Sequence, residues 1–505
     1  MVKYAIRAKK TTILFCARVC RIAGFDRVAG LVPWFGPGFS GGTASMKAVG
    51  TIEKQQAATG PVLVVGADCL LAGGSPLLIE NLKGALTIDN PKYRDAKKYA
   101  RWIGKNLPRK LYFFEMDADN IRFPRGFVVE AIGLCLKHMG QKPRIVDQRR
   151  RLPDIDLAFS GQLRPYQEQA VQDVLKHHFG VLVAGTGSGK TVMALAVVAA
   201  RRQPTLILLH NKELLYQWAT RVEEFLGQTP GLVGDGHYDI RPVTVAIVNT
   251  ARKHLDELPA QFGQIIVDEC HRVPASLFTD VVRAFDCMYS LGLSATAYRR
   301  EDGLTPLIYL YMGENKHKVE SRHLEEVGAV LRPEFVQRPT GFHYSFRGDY
   351  QALMTALTAD EERNRQIAFD VVREAPKTRG TVLVVSDRVA HCERLAELVR
   401  EGGLEVAVLT GRVAAEERTS IVEAVRQGRV AVLISTLQLV GEGFDVAGLS
   451  TLFLTTPIKF TGRLRQVIGR ILRPAAGKLP KVIDYVDENI GVLRTSARIR
   501  QSMYF

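Results

Sequence analysis

The chain has 505 residues, a formal net charge of +16 and an isoelectric point near 9.5. That length supports about three or four compact units, each able to bury a core, and 46 % hydrophobic with 24 % charged residues excludes a disordered or fibrous polypeptide. The basic balance points to a polyanionic partner, nucleic acid first. No apolar run reaches bilayer-spanning length, and seven scattered cysteines without a C-x-x-C pair fit reduced thiols in a cytoplasm.

Residues 1–80 carry no legible function. Gly30–Gly50 has neither helical nor strand period and reads as loop, and Pro61–Val65 reads as one buried strand. A poorly ordered extension, an upstream start site and a domain are equal readings of this segment. From Leu86 the texture changes, and residues 81–158 are expected to form a small basic α+β module. Tyr93–Trp102 has helical spacing, Lys110–Met116 reads as a strand, Asp117–Asn120 as its turn, and Phe127–His138 as a helix. The module ends in Gln148-Arg149-Arg150-Arg151, a run suited to phosphate contacts or to a solvated face.

A motor-like domain is expected over residues 159–320. Arg164-Pro165-Tyr166-Gln167 opens it on the approach to a helix, and the Gln167 amide can read two adjacent positions on an adenine edge. Gly180–Val183 is a strand, and Val192–Val198 is rich in helix formers. Between them lies Ala184-Gly185-Thr186-Gly187-Ser188-Gly189-Lys190-Thr191. Strand, glycine loop and helix are the context of a phosphate-binding loop. Its N–H groups and the helix N-terminus converge on an anion, Lys190 can reach β- and γ-phosphates, and the Thr191 hydroxyl is placed for Mg²⁺. ATP and Mg²⁺ are therefore the expected cofactors.

Apolar strands then alternate with helices: Thr205–Leu209, helix Lys212–Phe225, Val243–Val248, Gln264–Val267 and Cys287–Leu291. Continuous apolar runs of this kind suit parallel strands covered on both faces, hence a doubly wound α/β domain. Asp268-Glu269-Cys270-His271 follows the fourth strand. Asp268 can hold Mg²⁺, Glu269 can polarise an attacking water, and His271 can sense the γ-phosphate across a domain gap. Ser294-Ala295-Thr296 follows the next strand.

Residues 321–505 repeat the alternation in a second domain. Thr358–Asn364 starts a helix, and Thr381–Val385 is a strand ending at Ser386. Val406–Leu409 leads to Thr410-Gly411, Ala414–Arg426 is a helix, and Val430–Ile434 runs into Ser435-Thr436 and Gly441-Glu442-Gly443-Phe444-Asp445. Gln466-Val467-Ile468-Gly469-Arg470-Ile471-Leu472-Arg473 places Arg470 and Arg473 three apart on one helix face, where they can neutralise charge on a γ-phosphate held by the first domain.

In content and order, Ala184–Thr191, the Asp-Glu-x-His tetrad and Ser-Ala-Thr resemble the superfamily 2 helicases. Glu213-Leu214-Leu215-x-Gln217-Trp218 and Tyr298–Gly303 are similar to the group holding excision-repair helicases and type III restriction motor subunits. The resemblance covers residues 160 to about 490. It implies two tandem RecA-like domains and ATP-driven movement on, or unwinding of, duplex DNA. It also implies nucleotide contacts at Gly443, Asp445 and Gln466. DNA contact or coupling is implied at Thr250, Ser294, Thr296, Ser386, Thr410, Gly411, Ser435 and Thr436, and strand separation near Arg300. Asn249-Thr250 departs from the Gln followed by Ser or Thr usual in relatives. A nuclease or repair protein is the partner class so implied. A restriction-type nuclease would need a carboxylate-and-lysine cluster outside the motor, and none is evident in the first 150 residues. A non-enzymatic clamp would not need Glu269, Arg470 and Arg473 together. Translocation without strand separation remains open to the sequence.

Overall fold

Three sheets and one two-stranded ladder organise the residues that the computed structural model describes: 60–98, 102–103, 107–271, 275–295, 303–441, 448–458, 461–475 and 477–502. These residues divide into two units. The first comprises 60–65, 69–88 and 110–147, and the second comprises the rest.

The first unit is a mixed five-stranded sheet. Its spatial order is Glu115–Asp117, Asn120–Pro124, Asp68–Ala72, Val62–Val65 and Arg144–Asp147. Ser75 caps the helix Pro76–Ala85, its hydroxyl accepting from the Leu78 N–H at 3.3 Å, with proline in the first turn where no N–H is needed. The helix Val128–Met139 ends on left-handed Gly140 and buries Val128, Ala131, Ile132 and Cys135. A break expected at residue 80 therefore passes through one sheet. Val62–Val65 pairs in parallel with Arg144–Asp147, a partner some eighty residues away that local composition does not reveal. The single strand expected over Lys110–Met116 is also divided: Lys110–Tyr112 pairs with Thr87–Asp89, and Glu115–Asp117 joins the larger sheet.

The second unit contains two RecA-like sheets. The first runs His237–Tyr238, Gly231–Gly234, Val243–Ile247, Thr205–Leu209, Gln264–Val267, Tyr289–Ser294, Phe179–Ala184 and Asn315–Val319, with parallel pairing throughout except at the His237–Tyr238 edge. Its central strands are buried on both faces, which accounts for their unbroken apolar sequence. The polar edge strand Asn315–Val319 lacks that signature and was invisible to it.

The second sheet is wholly parallel, in the order Glu334–Pro339, Lys481–Val486, Leu449–Leu454, Thr381–Ser386, Val432–Thr436 and Val406–Leu409. The sequence places a domain change at residue 320. Leu324, Ala329 and Val330 pack into the core of the first sheet, and the second sheet begins at Glu334. Among the described residues, no helix is long and apolar enough to cross a membrane.

Candidate active site

Three adjacent parallel strands deliver the site. Gln264–Val267, Tyr289–Ser294 and Phe179–Ala184 lie side by side, with Val267 opposite Gly292 and Ser294 opposite Val183. Their C-terminal ends therefore bring Asp268, Ser294 and the loop from Gly185 to one rim, where open α/β sheets bind ligands.

The loop is closed from within and from behind. The Ser188 hydroxyl donates to the Gly185 carbonyl at 2.7 Å, and Gly187 and Gly189 take φ values of +87° and +81°. A side chain at Gly189 would also collide with the Gln167 amide, so glycine serves both backbone and packing there. Tyr166 Oη and Gln167 Nε2 both donate to the Ser188 carbonyl at 2.9 Å, and Gln167 Oε1 accepts from the Arg164 N–H at 2.9 Å. Gln167, 7 % exposed, thus braces the phosphate loop. Arg164 lies exposed at the start of that helix. The helix Lys190–Arg201 follows directly, with Thr191 in its first turn. Lys190 Nζ donates to the Ala184 carbonyl at 3.1 Å and stands 3.7 Å from Glu269 Oε1.

The carboxylates occupy different environments. Asp268 is buried, its Oδ2 accepting from Trp218 Nε1 at 2.8 Å and its Oδ1 from the Glu269 N–H at 2.9 Å. Burial, and then the Glu269 charge beside it, hold Asp268 above the usual carboxylate range against the pull of Lys190 and its two donors. Glu269 has φ +44°, a left-handed backbone that a non-glycine residue rarely adopts, at the position assigned to water activation. His271 Nδ1 lies 2.9 Å from Ser294 Oγ and 3.3 Å from Glu269 Oε2, and the Ala295 N–H points at Glu269 Oε2 from 3.5 Å. Ser294, Glu269 and His271 are therefore one polar cluster.

These donors suit Mg²⁺. That ion binds through one or two carboxylates plus substrate phosphates, not through an all-protein cage. Among the described residues no group of three or more His, Cys, Asp or Glu side chains could hold a metal. Desolvated Asp268, Glu269 beside it and Thr191 on the phosphate-loop helix supply the smaller set.

The second sheet reaches this rim through the helix Thr461–Ile471. A Cβ on Gly469 would come within 2.5 Å of Thr186 Cβ, so only glycine lets that helix lie against the phosphate loop. Arg470 follows at once, half-buried. Arg473 is also half-buried, and its pKa is lowered by desolvation and then by the Arg221 charge. The Leu331 N–H donates to the Leu472 carbonyl at 2.7 Å, and Arg418 of the second domain stands 3.4 Å from Glu213 of the first. Gly443, Asp445, Thr296 and Arg300 lie outside the described residues, as does the Gln466 side chain.

Several residues expected to contact nucleic acid have internal partners. Ser386 is fully buried, with its hydroxyl 2.8 Å from His391 Nδ1 and accepting from the Arg388 N–H. Ser435 is equally buried and donates to the Leu409 carbonyl at 2.7 Å; Thr410 is 3 % exposed. The Ser386 and Ser435 hydroxyls fasten strand ends. Gly411 is exposed, while Thr436 and Thr250 are half-buried. In the Arg149–Arg151 run, Arg149 is buried 3.0 Å from His178 Nδ1 and over the Phe179 ring, and Arg150 pairs with Asp286 at 2.9 Å. Arg151 is exposed beside Asp154. The run anchors the first motor domain. Residue typing also missed Trp218 and Tyr166 as parts of the site; the Gln-Trp and Pro-Tyr-Gln strings held the signal, without a partner to assign.

Two family models match this chain. Residues 160–299 match the family "Type III restriction enzyme, res subunit", and residues 366–475 match "Helicase conserved C-terminal domain". The protein named "Probable helicase" from Escherichia phage T5 is 29 % identical over 323 residues, covering 62 % of this chain and 69 % of its own. A DNA 3'-5' translocase of XPB type from Sulfurisphaera tokodaii is 26 % identical, covering 67 % and 85 %. Among solved structures, an HsdR-subunit fragment of a Vibrio vulnificus type I restriction enzyme superposes with a TM-score of 0.53 at 19 % identity, covering 65 % of each chain, a likeness of fold alone.

Proposed function

This chain belongs to the superfamily 2 helicases and is an ATP-hydrolysing enzyme, and on that premise we propose that it is a cytoplasmic, DNA-dependent motor that moves on or unwinds duplex DNA. The observation that carries the reading is Gly469 seated on Thr186: an element of the second sheet lies against the phosphate loop of the first, so one nucleotide is served by both domains. The net charge of +16 and the XPB-type relatives, named for DNA, support that polymer.

Each residue then has a definite task. The loop Gly185–Gly189 and the helix N-terminus bind the phosphates, and Lys190 moves from the Ala184 carbonyl to a phosphate oxygen. Asp268 and Thr191 would hold Mg²⁺, which would supply neutralisation of the phosphate charge. Glu269 orients the attacking water and accepts its proton, while Arg470 and Arg473 stabilise the charge developing on the γ-phosphate. His271 and Ser294 connect Glu269 to the segment after the strand Tyr289–Ser294, a short path by which the polymer can affect hydrolysis. Because both domains are needed at one nucleotide, DNA lying across them favours closure and hydrolysis together.

A restriction-system motor subunit is the second reading, favoured by the res-subunit match over residues 160–299. ATP turnover measured with single-stranded DNA, duplex DNA and RNA, beside a strand-displacement assay, tests the proposal. Duplex DNA should stimulate turnover most. Stimulation by RNA alone, or by no polymer, would reject it.

A further inference from the structure

The Gln-Trp string in the helix Lys212–Leu226 has no task in hydrolysis as described, yet Trp218 meets the metal carboxylate directly. We propose that Trp218 is a positioning residue for Asp268, and that the helix carrying it lets the second domain set where that carboxylate stands. The proposal rests on Asp268 as a Mg²⁺ ligand.

The helix is firmly built. Asn211 caps it, its side chain accepting from the Leu214 N–H at 2.9 Å, and Leu215, Trp218, Val222 and Leu226 bury one face in the core of the first sheet. Trp218 is 2 % exposed, and its only polar atom, the indole N–H, donates to Asp268 Oδ2. Apolar packing needs no such donor, and a phenylalanine would fill much of the same space. The bond fixes one carboxylate oxygen while the Glu269 N–H fixes the other, leaving Asp268 a single orientation. Donors of this kind behind a metal ligand hold it in its coordinating geometry.

The same helix touches the second domain on its other faces. Glu213, in its first turn, stands 3.4 Å from Arg418. Burial, and then the charge of Arg221 three residues after Trp218, lower the pKa of Arg473. Movement of the second domain therefore loads, through Glu213, the N-terminal end of a rigid bar whose middle holds Asp268.

The test uses the full-length protein with ADP and Mn²⁺ as probe, read by electron paramagnetic resonance. Trp218→Phe should weaken Mn²⁺ binding roughly ten- to hundredfold, raise the Mg²⁺ concentration needed for half-maximal turnover by a similar factor, and leave metal-free nucleotide affinity unchanged. Wild-type Mn²⁺ affinity in folded Trp218→Phe would overturn the proposal. Should that variant melt early, the indole ¹⁵N–¹H spectrum of otherwise native protein decides: Asp268→Asn should shift the Trp218 resonance upfield, and an unmoved resonance would overturn it. Normal Mn²⁺ binding by Asp268→Asn would instead remove the metal reading itself, and this proposal with it. For the second domain's part, duplex DNA should tighten Mn²⁺ binding in the wild type and lose that effect in Glu213→Gln; an undiminished effect would refute the bar.

Discussion

The two RecA-like sheets share an architecture and use their charged residues in opposite ways. In the first, Lys190, Asp268, Glu269 and His271 gather at the C-terminal strand ends, close together and incompletely balanced. In the second, charge is buried in matched pairs away from the nucleotide. Arg363 and Asp487 are each 1 % exposed and 2.8 Å apart, with Thr340 donating to the same carboxylate, and Arg500 grips Asp484 with both almost fully buried. The hydroxyls of Ser386 and Ser435 follow that second pattern. One sheet keeps polar groups for chemistry, and the other uses them to fix helices and loops against its strands. The helix Thr461–Ile471 carries the second sheet's charge, at Arg470, to the ligand rim.

The comparison breaks most visibly at Glu269. Glu269→Gln should bind ATP normally and lose on the order of a hundredfold or more in turnover, as when a transition-state group is removed; quenched-flow hydrolysis beside equilibrium nucleotide binding checks both halves. Arg363→Ala should do the reverse. It strands the Asp487 carboxylate in the core and should destabilise the second domain by about 3–5 kcal/mol, seen by chemical denaturation, with the first domain's residues left intact. Arg363→Met combined with Asp487→Leu should recover most of that loss, because the pair is then removed together.

A smaller effect separates the sheets by pH. His391 is buried between Ser386 Oγ and Asn364 Oδ1, and desolvation, then the Arg363 charge, push its pKa down to about 3. A depressed folded-state pKa means that the unfolded chain binds the extra proton. Its stabilising share is complete above the ordinary value near 6.5 and is lost as pH falls toward 3. Between pH 7 and 5 this single group should cost the second domain about 2 kcal/mol, and His391→Gln should flatten that slope in denaturant titrations. The smallest change is expected at Arg151, an exposed partner of Asp154: Arg151→Gln should alter stability by less than about 1 kcal/mol and leave the salt dependence of DNA binding unchanged. Arg149→Gln, in contrast, should lower the melting temperature.

What was legible follows from how local the signal is. The phosphate loop and the Asp-Glu-x-His turn are contiguous strings whose neighbours, an apolar strand before and a helix after the loop, specify their geometry. Ser386 and Ser435 looked equivalent to Ser294 because a hydroxyl's direction depends on tertiary neighbours: His391 and the Leu409 carbonyl for the first two, His271 for the third. Arg149–Arg151 read as a basic stripe, yet Asp286, His178 and Phe179, the groups that absorb two of the three, come from distant segments. Leu324, on a short helix just past the expected domain change at residue 320, is assigned to the first core by packing alone.

The central claim is that one nucleotide is hydrolysed by groups from both sheets, with DNA promoting their closure. Arg470→Ala tests it most directly, by ATP turnover with and without saturating duplex DNA beside binding of a non-hydrolysable ATP analogue. The account predicts near-native analogue binding to the phosphate loop, with the DNA stimulation of turnover abolished. Native stimulation in Arg470→Ala would contradict it, since hydrolysis would then need nothing from the second domain.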